Sequence, residues 1–225
     1  MSNEYDHQFV NTQYYFGPYI YQGTLDPKFI EELIKRGDEA TILQNTSASS
    51  LKTGNEKQLS YDNQKWFNNH MRMLFNHYIQ NRMRFHGIDY IPDYILQNVW
   101  INYQHANEYQ PEHTHAGDFS WVIYCKIPEG LEQEVKNYQK KSTPPGYITF
   151  AFGEEGGNSE QNYPWITRTH TAKPEVGTIF VFPSQLRHFV PPFTCDGVRI
   201  SVSGNAILYK PDTKFYHMGE KRYEV

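Results

Sequence analysis

The sequence predicts an α+β protein that is mainly β, an antiparallel sandwich or barrel with helices packed on one outer face. Helical periodicity lies before Pro92, and short strand patterns separated by Gly and Pro follow it. The chain has 225 residues, of which 38% are hydrophobic and 16% are aromatic, so aromatic side chains can supply much of the core. We therefore expect one domain.

Two amphipathic helices are predicted in the N-terminal half. The first begins at Asp26, a good N-cap, followed by Pro27 in the first turn, and it ends near Gly37. The second extends from Asp62 to about Phe85 and carries a broad apolar stripe at helical spacing. Both helices should therefore pack on the strands that follow.

The strands are predicted from runs of β-branched and aromatic residues. They cover 95–104, 119–127, 147–152, 165–171, 178–182, 189–190 and 198–208, and 14–21 is predicted as a strand or an extended segment packed on the main body. Three polar stretches, 44–60, 129–145 and 153–162, hold few residues suited to a core. We interpret them as surface segments, and the second has the composition of a short helix.

Charge and composition disfavour several classes of partner. The formal net charge of −4 gives no basic field that would attract nucleic acid, and no apolar run is long enough to span a membrane. The N-terminus lacks the pattern of a signal peptide. We expect a soluble cytoplasmic protein with Cys125 and Cys195 reduced. The sequence does not indicate an oligomeric state.

The most informative motif is His113-Thr114-His115, which lies just before an apolar and aromatic run. Side chains two residues apart on an extended strand share a face, so both imidazoles can bind one metal ion. His188 lies far downstream, and Arg199 and Ser201 follow it. Non-haem iron(II) is commonly held by two His and one carboxylate on one face of the ion, so this order of residues favours a metal site.

Another histidine pair is interpreted differently. His70 and His77 lie seven residues apart on the second predicted helix, but no third ligand keeps register with them. We expect them to be partly exposed residues of a packing helix.

Further motifs surround the candidate ligands. They are Trp100 and Asn102, then Ser120, Val122 and Tyr124, and then Gly177 with Phe182-Pro183-Ser184. With H-x-H, the later His and R-x-S, they make the chain resemble the iron(II)- and 2-oxoglutarate-dependent oxygenase superfamily. The chain is most similar to its short, often phage-encoded members related to prolyl hydroxylases. The resemblance covers about 95–208, and L-K-T-G-N-E at 51–56 is weakly similar to an insert of that group.

The resemblance implies a fold and a reaction. It implies a double-stranded β-helix, or jelly roll, at 95–210, with an N-terminal strand and supporting helices in 1–94 and a tail at 211–225. The implied cofactors are Fe(II), the cosubstrate 2-oxoglutarate and O2. The implied reaction is hydroxylation of an unactivated C–H bond, with formation of succinate and CO2. If the protein is phage-encoded, the cytoplasm is that of the host.

The second metal ligand stays open, because most members of the superfamily have H-x-D where this chain has His113-Thr114-His115. His115 gives a neutral site of three His with His113 and His188. Asp118 gives a site of two His and one carboxylate, which suits the charge of Fe(II). A site with two protein ligands is the third alternative. We favour the three histidines.

The resemblance also implies how the cosubstrate and the substrate are held. Arg199 and Ser201 would bind the distal carboxylate of 2-oxoglutarate, with Tyr124 as a third donor, since a guanidinium grips a carboxylate with two hydrogen bonds. The remaining candidates are less specific. Trp100, Asn102 and Asn205 are candidates for the primary-substrate side, and Arg187 and His170 are secondary candidates.

Two other functions compete with the dioxygenase. The first is a metal-binding β-barrel without turnover that serves as a binding or assembly module, as the missing carboxylate could mean lost activity. The second is a cupin-type enzyme with three His and no cosubstrate. The primary substrate is not readable: a protein side chain, an amino acid, a nucleobase or a lipid-derived molecule would all fit.

Overall fold

The computed structural model describes residues 17–42, 55–140, 142–153 and 169–210. Within these ranges the helices are α1 (Pro27–Asp38), α2 (Tyr61–Phe85) and α3 (Leu131–Lys136). The strands are β1 (Tyr21–Thr24), β2 (Thr41–Ile42), β3 (Glu56–Gln58), β4 (Asp93–His105), β5 (Gln110–His113), β6 (Phe119–Lys126), β7 (Ile148–Ala151), β8 (Thr169–Ala172), β9 (Thr178–Pro183), β10 (Arg187–Val190) and β11 (Val198–Tyr209). No helix in these ranges is long and apolar enough to cross a membrane.

The strands form two antiparallel sheets. The larger has the order β1-β9-β6-β11-β4-β3-β2, and the smaller has the order β5-β10-β7-β8. Side chains from both sheets meet in an inner cluster, which is Val122, Tyr124, Ile148, Phe150, Phe180, Phe182, Leu186 and Val190. The mainly β architecture with helices on one face is therefore confirmed.

Alternation along β6 and β11 separates two environments. Trp121 and Ile123 face the helices in an outer core, whereas Val122 and Tyr124 face the smaller sheet. On β11, Ile200 and Val202 belong to the helix side. Because alternate residues of a strand point to opposite faces, the polar residues between them point into the space between the sheets.

Helix α1 begins where its capping signal predicts. The carboxylate of Asp26 accepts the N–H of Lys28 at 2.8 Å, and Ile30 and Leu33 are buried. The helix passes closely over the larger sheet at Gly37, where an added Cβ would collide with Ile101. Helix and strand can approach this closely because glycine has no side chain.

Helix α2 packs its apolar stripe on the same sheet. Ser60 caps it by accepting the N–H of Asn63 at 3.3 Å, so the helix begins at Tyr61, one residue before the predicted start. The rings of Phe67 and Phe75 lie 5.6 and 4.8 Å from that of Trp121. This helix therefore supports the strand that follows the His motif.

His70 and His77 lie on the exposed side of α2. A ring nitrogen of His70 is 2.8 Å from the carbonyl of Trp66, and one of His77 is 2.9 Å from the amide of Asn81. Each imidazole thus bonds within its own helix, as expected for histidines on the surface of a packing helix.

Some elements differ from the sequence prediction. The stretch 44–60 is not entirely a loop, because Glu56–Gln58 pairs with β4; residues 43–54 lie outside the described residues. Strand β5 was also missed. Both strands are short and polar, so pairing with neighbours distant in sequence creates them without a local hydrophobic pattern.

Several predictions fall wholly or partly outside the described residues. Only Thr169–Ala172 is seen of the strand predicted at 165–171. Residues 14–16, 154–162 and the tail at 211–225 also lie outside the description. Of the polar stretch 129–145, residues 131–136 form the short helix α3.

Candidate metal centre

Three imidazoles converge at the edge of the smaller sheet. His113 ends β5 and pairs directly with His188 on β10, and His115 follows two residues later. The ring centroids of His113 and His188 are 4.3 Å apart, and those of His115 lie 4.8 and 5.0 Å from them. One ligand nitrogen from each ring lies within 4.8 Å of the other two. The arrangement can surround a single metal ion.

Backbone carbonyls orient two of these rings. Nδ1 of His113 is 2.6 Å from the carbonyl oxygen of Pro111, and Nδ1 of His188 is 2.8 Å from that of Leu186. A carbonyl can only accept, so Nδ1 carries the proton and donates it, which leaves the Nε2 lone pair for a metal. In both histidines Nδ1 contacts the carbonyl two residues earlier, so both rings present the same nitrogen, Nε2, to the site.

His115 is held through its backbone. Its N–H donates to the carbonyl of Ser184 at 2.8 Å. The hydroxyl of Ser184 lies 2.9 Å from that of Ser120, which donates to Oδ1 of Asn205 at 2.7 Å. Asn205, a candidate for the substrate side, therefore supports the loop that carries His115.

The site favours neutral imidazoles. Burial, followed by repulsion from His113, lowers the pKa of His115 to about 4. Burial also lowers the pKa of His188 to about 3, with His113 and His115 adding to the shift and the Leu186 carbonyl opposing it. Because metals bind the unprotonated ring, protons compete weakly for these nitrogens at neutral pH.

Asp118 is engaged elsewhere. Its carboxylate accepts the N–H of Leu208 at 2.8 Å, and its carbonyl accepts from Nη1 of Arg82 at 2.7 Å. It is not part of the His cluster. The cluster therefore offers three imidazole nitrogen donors, a set that suits iron and other divalent transition metals.

A second feature is a buried cation that has no counter-ion among the residues that the structure describes. Arg199 lies on β11 and is only 4% exposed, and its Nη1 donates to the carbonyl of Gly146 at 2.9 Å. Its guanidinium carbon lies 5.8 Å from the ring centroid of Tyr124, which pairs in register with Ser201. Arg199, Ser201 and Tyr124 thus line one part of the barrel interior.

Polar atoms in this part of the interior are unsatisfied. Within the described residues, Nε of Arg199 and the hydroxyl of Tyr124 are buried without a hydrogen-bond partner. Burial raises the pKa of Tyr124 to about 12 and lowers that of Arg199, which still carries its charge at neutral pH. Buried donors of this kind are rare unless a ligand satisfies them, so the pocket suits an anion.

Polar side chains also line β4. The Asn102 amide, oriented to satisfy its neighbours, donates to Oε1 of Glu56 and accepts from Nε1 of Trp100, each at 3.2 Å. The Trp100 ring centroid lies 5.7 Å from that of His115. The sequence prediction missed Glu56, which it placed in a loop; the weak likeness of 51–56 to a family insert was the only signal.

The secondary candidates lie apart from the cluster. Arg187 bonds Oε1 of Glu112 at 3.1 Å and the carbonyl of Gly153 at 2.8 Å, and its side chain is 39% exposed. His170 is exposed, and its ring stacks on Phe150 at 6.3 Å. Neither belongs to the three-nitrogen cluster.

Comparison with known proteins bears on both the family and the fold. Residues 98–205 match the family model described as "Putative 2OG-Fe(II) oxygenase". A prolyl-4-hydroxylase from Pseudomonas putida is similar in structure, with a TM-score of 0.53 at 15% identity over 85% of this chain and 92% of that one. The non-haem alpha ketoglutarate dependent epimerase SnoN from nogalamycin biosynthesis gives 0.50 at 13% identity over 85% and 81%. No curated protein matches the sequence.

These likenesses agree with the two-sheet topology, so the predicted double-stranded β-helix is confirmed. At such low identity the structures establish the fold alone. The family match covers the strands that carry His113, His188 and Arg199. Residues 98–205 of this chain are therefore similar to the 2OG-Fe(II) oxygenase family, whose cofactors are iron(II) and 2-oxoglutarate.

Proposed function

We propose that this protein is an Fe(II)- and 2-oxoglutarate-dependent dioxygenase that hydroxylates an unactivated C–H bond and forms succinate and CO2. The observation that carries the proposal is the buried guanidinium of Arg199, whose Nε lacks a partner among the described residues, in the barrel that also holds the His cluster. A buried charge without a counter-ion is costly. A dicarboxylate cosubstrate would supply the missing charge.

In this proposal His113, His115 and His188 hold the iron. The Pro111 and Leu186 carbonyls keep two of the rings in the tautomer that presents Nε2. When bound, the iron would supply Lewis-acid and redox chemistry toward O2 and the cosubstrate. The protein contributes rigid ligands, and the lowered pKa values of His115 and His188 keep these two rings from taking up a second proton.

Arg199, Ser201 and Tyr124 would take the distal carboxylate of 2-oxoglutarate. Nε of Arg199 and the Tyr124 hydroxyl are free donors in the described structure, and Ser201 lies opposite Tyr124 in the sheet. Burial of all three excludes water, which strengthens a guanidinium–carboxylate pair.

The rest of the chain is assigned to support and substrate contact. Trp100, Asn102 and Asn205 would line the primary-substrate side. The core would extend over 95–210 as one domain, with 1–94 as its supporting segment and 211–225 as a tail.

One observation favours a second candidate, a metal-binding barrel without turnover. The His cluster includes no carboxylate from the described residues, and Asp118 is occupied by the N–H of Leu208. An Fe(II) site that lacks an anionic protein ligand differs from the common arrangement. This candidate binds metal but forms no succinate.

An anaerobic titration separates the two. Purified protein is loaded with Fe(II) and then 2-oxoglutarate, and the visible charge-transfer band of the chelate is recorded; O2 is then admitted and succinate is measured. The dioxygenase gives the band and then succinate. A protein that binds iron without giving the band or succinate is the binding module, and one that binds no iron contradicts both.

A further inference from the structure

The carboxylate of Glu56 is buried in the barrel without a counter-ion. The residue is 7% exposed, and it forms no ion pair with any residue that the structure describes. Its one hydrogen bond to a described residue comes from the neutral amide of Asn102. An ionised carboxylate can accept about four hydrogen bonds, so most of its capacity is unused.

Pairing with β4 directs this side chain inward. Glu56 lies opposite Asn102 in the β3–β4 register. Along β4, Val99 and Ile101 belong to the helix-side core, so Trp100 and Asn102 face the barrel interior. Glu56 shares that inner face.

A row of contacts joins Glu56 to the candidate metal centre. Glu56 meets the Asn102 amide at 3.2 Å, the amide meets the Trp100 indole at 3.2 Å, and the Trp100 ring lies 5.7 Å from the His115 ring. These contacts lie along the inner face of β4 and end at His115, one of the candidate metal ligands. The carboxylate therefore lies on the proposed primary-substrate side.

Arg199 belongs to a different part of the same interior. The strand order β11-β4-β3 separates its strand from that of Glu56 by two strand spacings, which is about 10 Å. Arg199 likewise forms no ion pair with any described residue, Glu56 included. The interior thus presents one cation and one anion, each without a protein counter-ion among the described residues.

Two other buried or partly buried carboxylates in this protein accept hydrogen bonds from backbone N–H groups as well as from side chains. Glu134 accepts the N–H groups of Thr194 and Cys195 and the hydroxyl of Thr194. Glu108 accepts the N–H of His105 and the amide of Asn55. Such donors compensate a carboxylate for lost hydration. Among the described residues no backbone N–H donates to Glu56, and the Asn102 amide is its one donor, so a purely structural role leaves most of its burial uncompensated.

We propose that Glu56 recognises the primary substrate, and that this substrate carries a protonated amine or a guanidinium. The proposal rests on the proposed dioxygenase function. Arg199 binds the acidic cosubstrate, whereas Glu56 binds the basic group of the molecule to be oxidised. The Trp100 indole and the Asn102 amide lie between Glu56 and His115. The substrate class is therefore cationic: a basic amino acid, a basic protein side chain or a small amine.

The test compares probes that differ in charge but have nearly the same shape. Protein loaded with Zn(II), as a substitute that does not react with O2, and with 2-oxoglutarate is titrated with n-butylguanidinium and with n-butylurea, and binding is followed by NMR. Because a charge-assisted hydrogen bond contributes more than a neutral one, we expect n-butylguanidinium to bind at least about tenfold more tightly.

Glu56→Gln should abolish this preference while leaving the affinities for Zn(II) and 2-oxoglutarate unchanged. Glu175→Gln is the matched control, because Glu175 is exposed and pairs only with Lys173 among the described residues. Melting curves show whether both variants are folded. If Glu56→Gln does not fold, Glu56→Asp replaces it, and the shortened carboxylate should weaken n-butylguanidinium binding while n-butylurea is unaffected.

Three outcomes would overturn the proposal. The first is equal or undetectable binding of both probes by the wild type, and the second is a preference that Glu56→Gln retains. The third is weaker metal and 2-oxoglutarate binding by Glu56→Gln, which would make Glu56 a counter-charge for the site. Each leaves the dioxygenase intact if the Fe(II)–2-oxoglutarate band and succinate are observed. If the wild type gives neither the band nor succinate, the proposed dioxygenase function itself is wrong.

Discussion

His113 and His188 lie directly opposite each other on antiparallel strands, with ring centroids 4.3 Å apart, although they are far apart in sequence. Each donates Nδ1–H to the carbonyl two residues earlier. The pairing of β5 with β10 therefore sets both the distance between the rings and the nitrogens that they present. The predictions below follow from this pairing and from the buried groups beside it.

The first prediction concerns the metal. His188→Asn should remove a ligand from a buried position and lower the affinity for Fe(II) by at least about tenfold, since outer partners of a ligand already matter by about that factor. His170→Asn is the control, because its ring is exposed and is not one of the three clustered ligands. Metal content after dialysis measures the effect. Equal iron in the two variants would remove His188 from the site.

The second prediction concerns Arg199. Arg199→Met should raise the KM for 2-oxoglutarate by at least about 30-fold, because a buried charge pair is lost. The ligand-free variant should melt no lower than the wild type, because the substitution also removes an unpaired buried charge.

Arg187→Met is the matched control, since Arg187 is also an arginine on a barrel strand but its side chain is 39% exposed and paired with Glu112. Its KM should stay within about twofold of the wild type. If Arg199→Met lowered the melting temperature and left KM unchanged, Arg199 would be a structural residue.

The third prediction concerns pH. The pKa of His188 is lowered to about 3 and that of His115 to about 4, chiefly by burial, whereas the unfolded rings titrate near 6.5. Between these values the unfolded state binds more protons than the folded state. The free energy of unfolding of the metal-free protein should therefore fall as the pH drops below about 6.5, by up to about 1.4 kcal/mol per pH unit for each ring.

Urea unfolding in the presence of a chelator, repeated from neutral to acidic pH, measures this slope. His188→Asn should reduce it, because one of the depressed groups is gone. A slope that does not change in the variant would mean that other groups cause the acid sensitivity.

The fourth prediction concerns the packing of β11. An added Cβ at Gly204 would collide with the Trp121 ring and would lie 2.5 Å from the carbonyl of Asn98. Gly204→Ala should therefore lower the free energy of unfolding by about 3 kcal/mol or more, because neither neighbour can move freely. Gly17→Ala is the control, since its Cβ would lie 3.8 Å from Phe152, an ordinary contact. Chemical denaturation of both variants decides whether this strand tolerates a side chain.

Much of the fold could be predicted because its signals are local. The Asp26 cap and the apolar stripe of α2 depend on residues within a few turns of one another. The longer strands, such as β6 and β11, carry runs of apolar residues, and their side chains are buried on both faces of the larger sheet. The likeness to a family then supplied the jelly-roll topology, which periodicity alone does not specify.

The polar strands could not be predicted in the same way. Neither Glu56–Gln58 nor Gln110–His113 has the alternation that marks a strand, and each exists because it pairs with a neighbour distant in sequence. For this reason the sequence predicts a surface loop at Glu56, although this residue faces the interior.

The sequence by itself determined which chemistry is possible: two histidines on one face of a strand, a third histidine downstream, and an arginine followed by a serine at the spacing of alternate residues. Only the tertiary structure decided which groups meet. It placed His188 against His113, turned Asp118 to the N–H of Leu208, and brought Glu56 inside the barrel. The physical reason is that residue spacing fixes local geometry, whereas contacts between distant segments depend on strand pairing and burial of the whole chain.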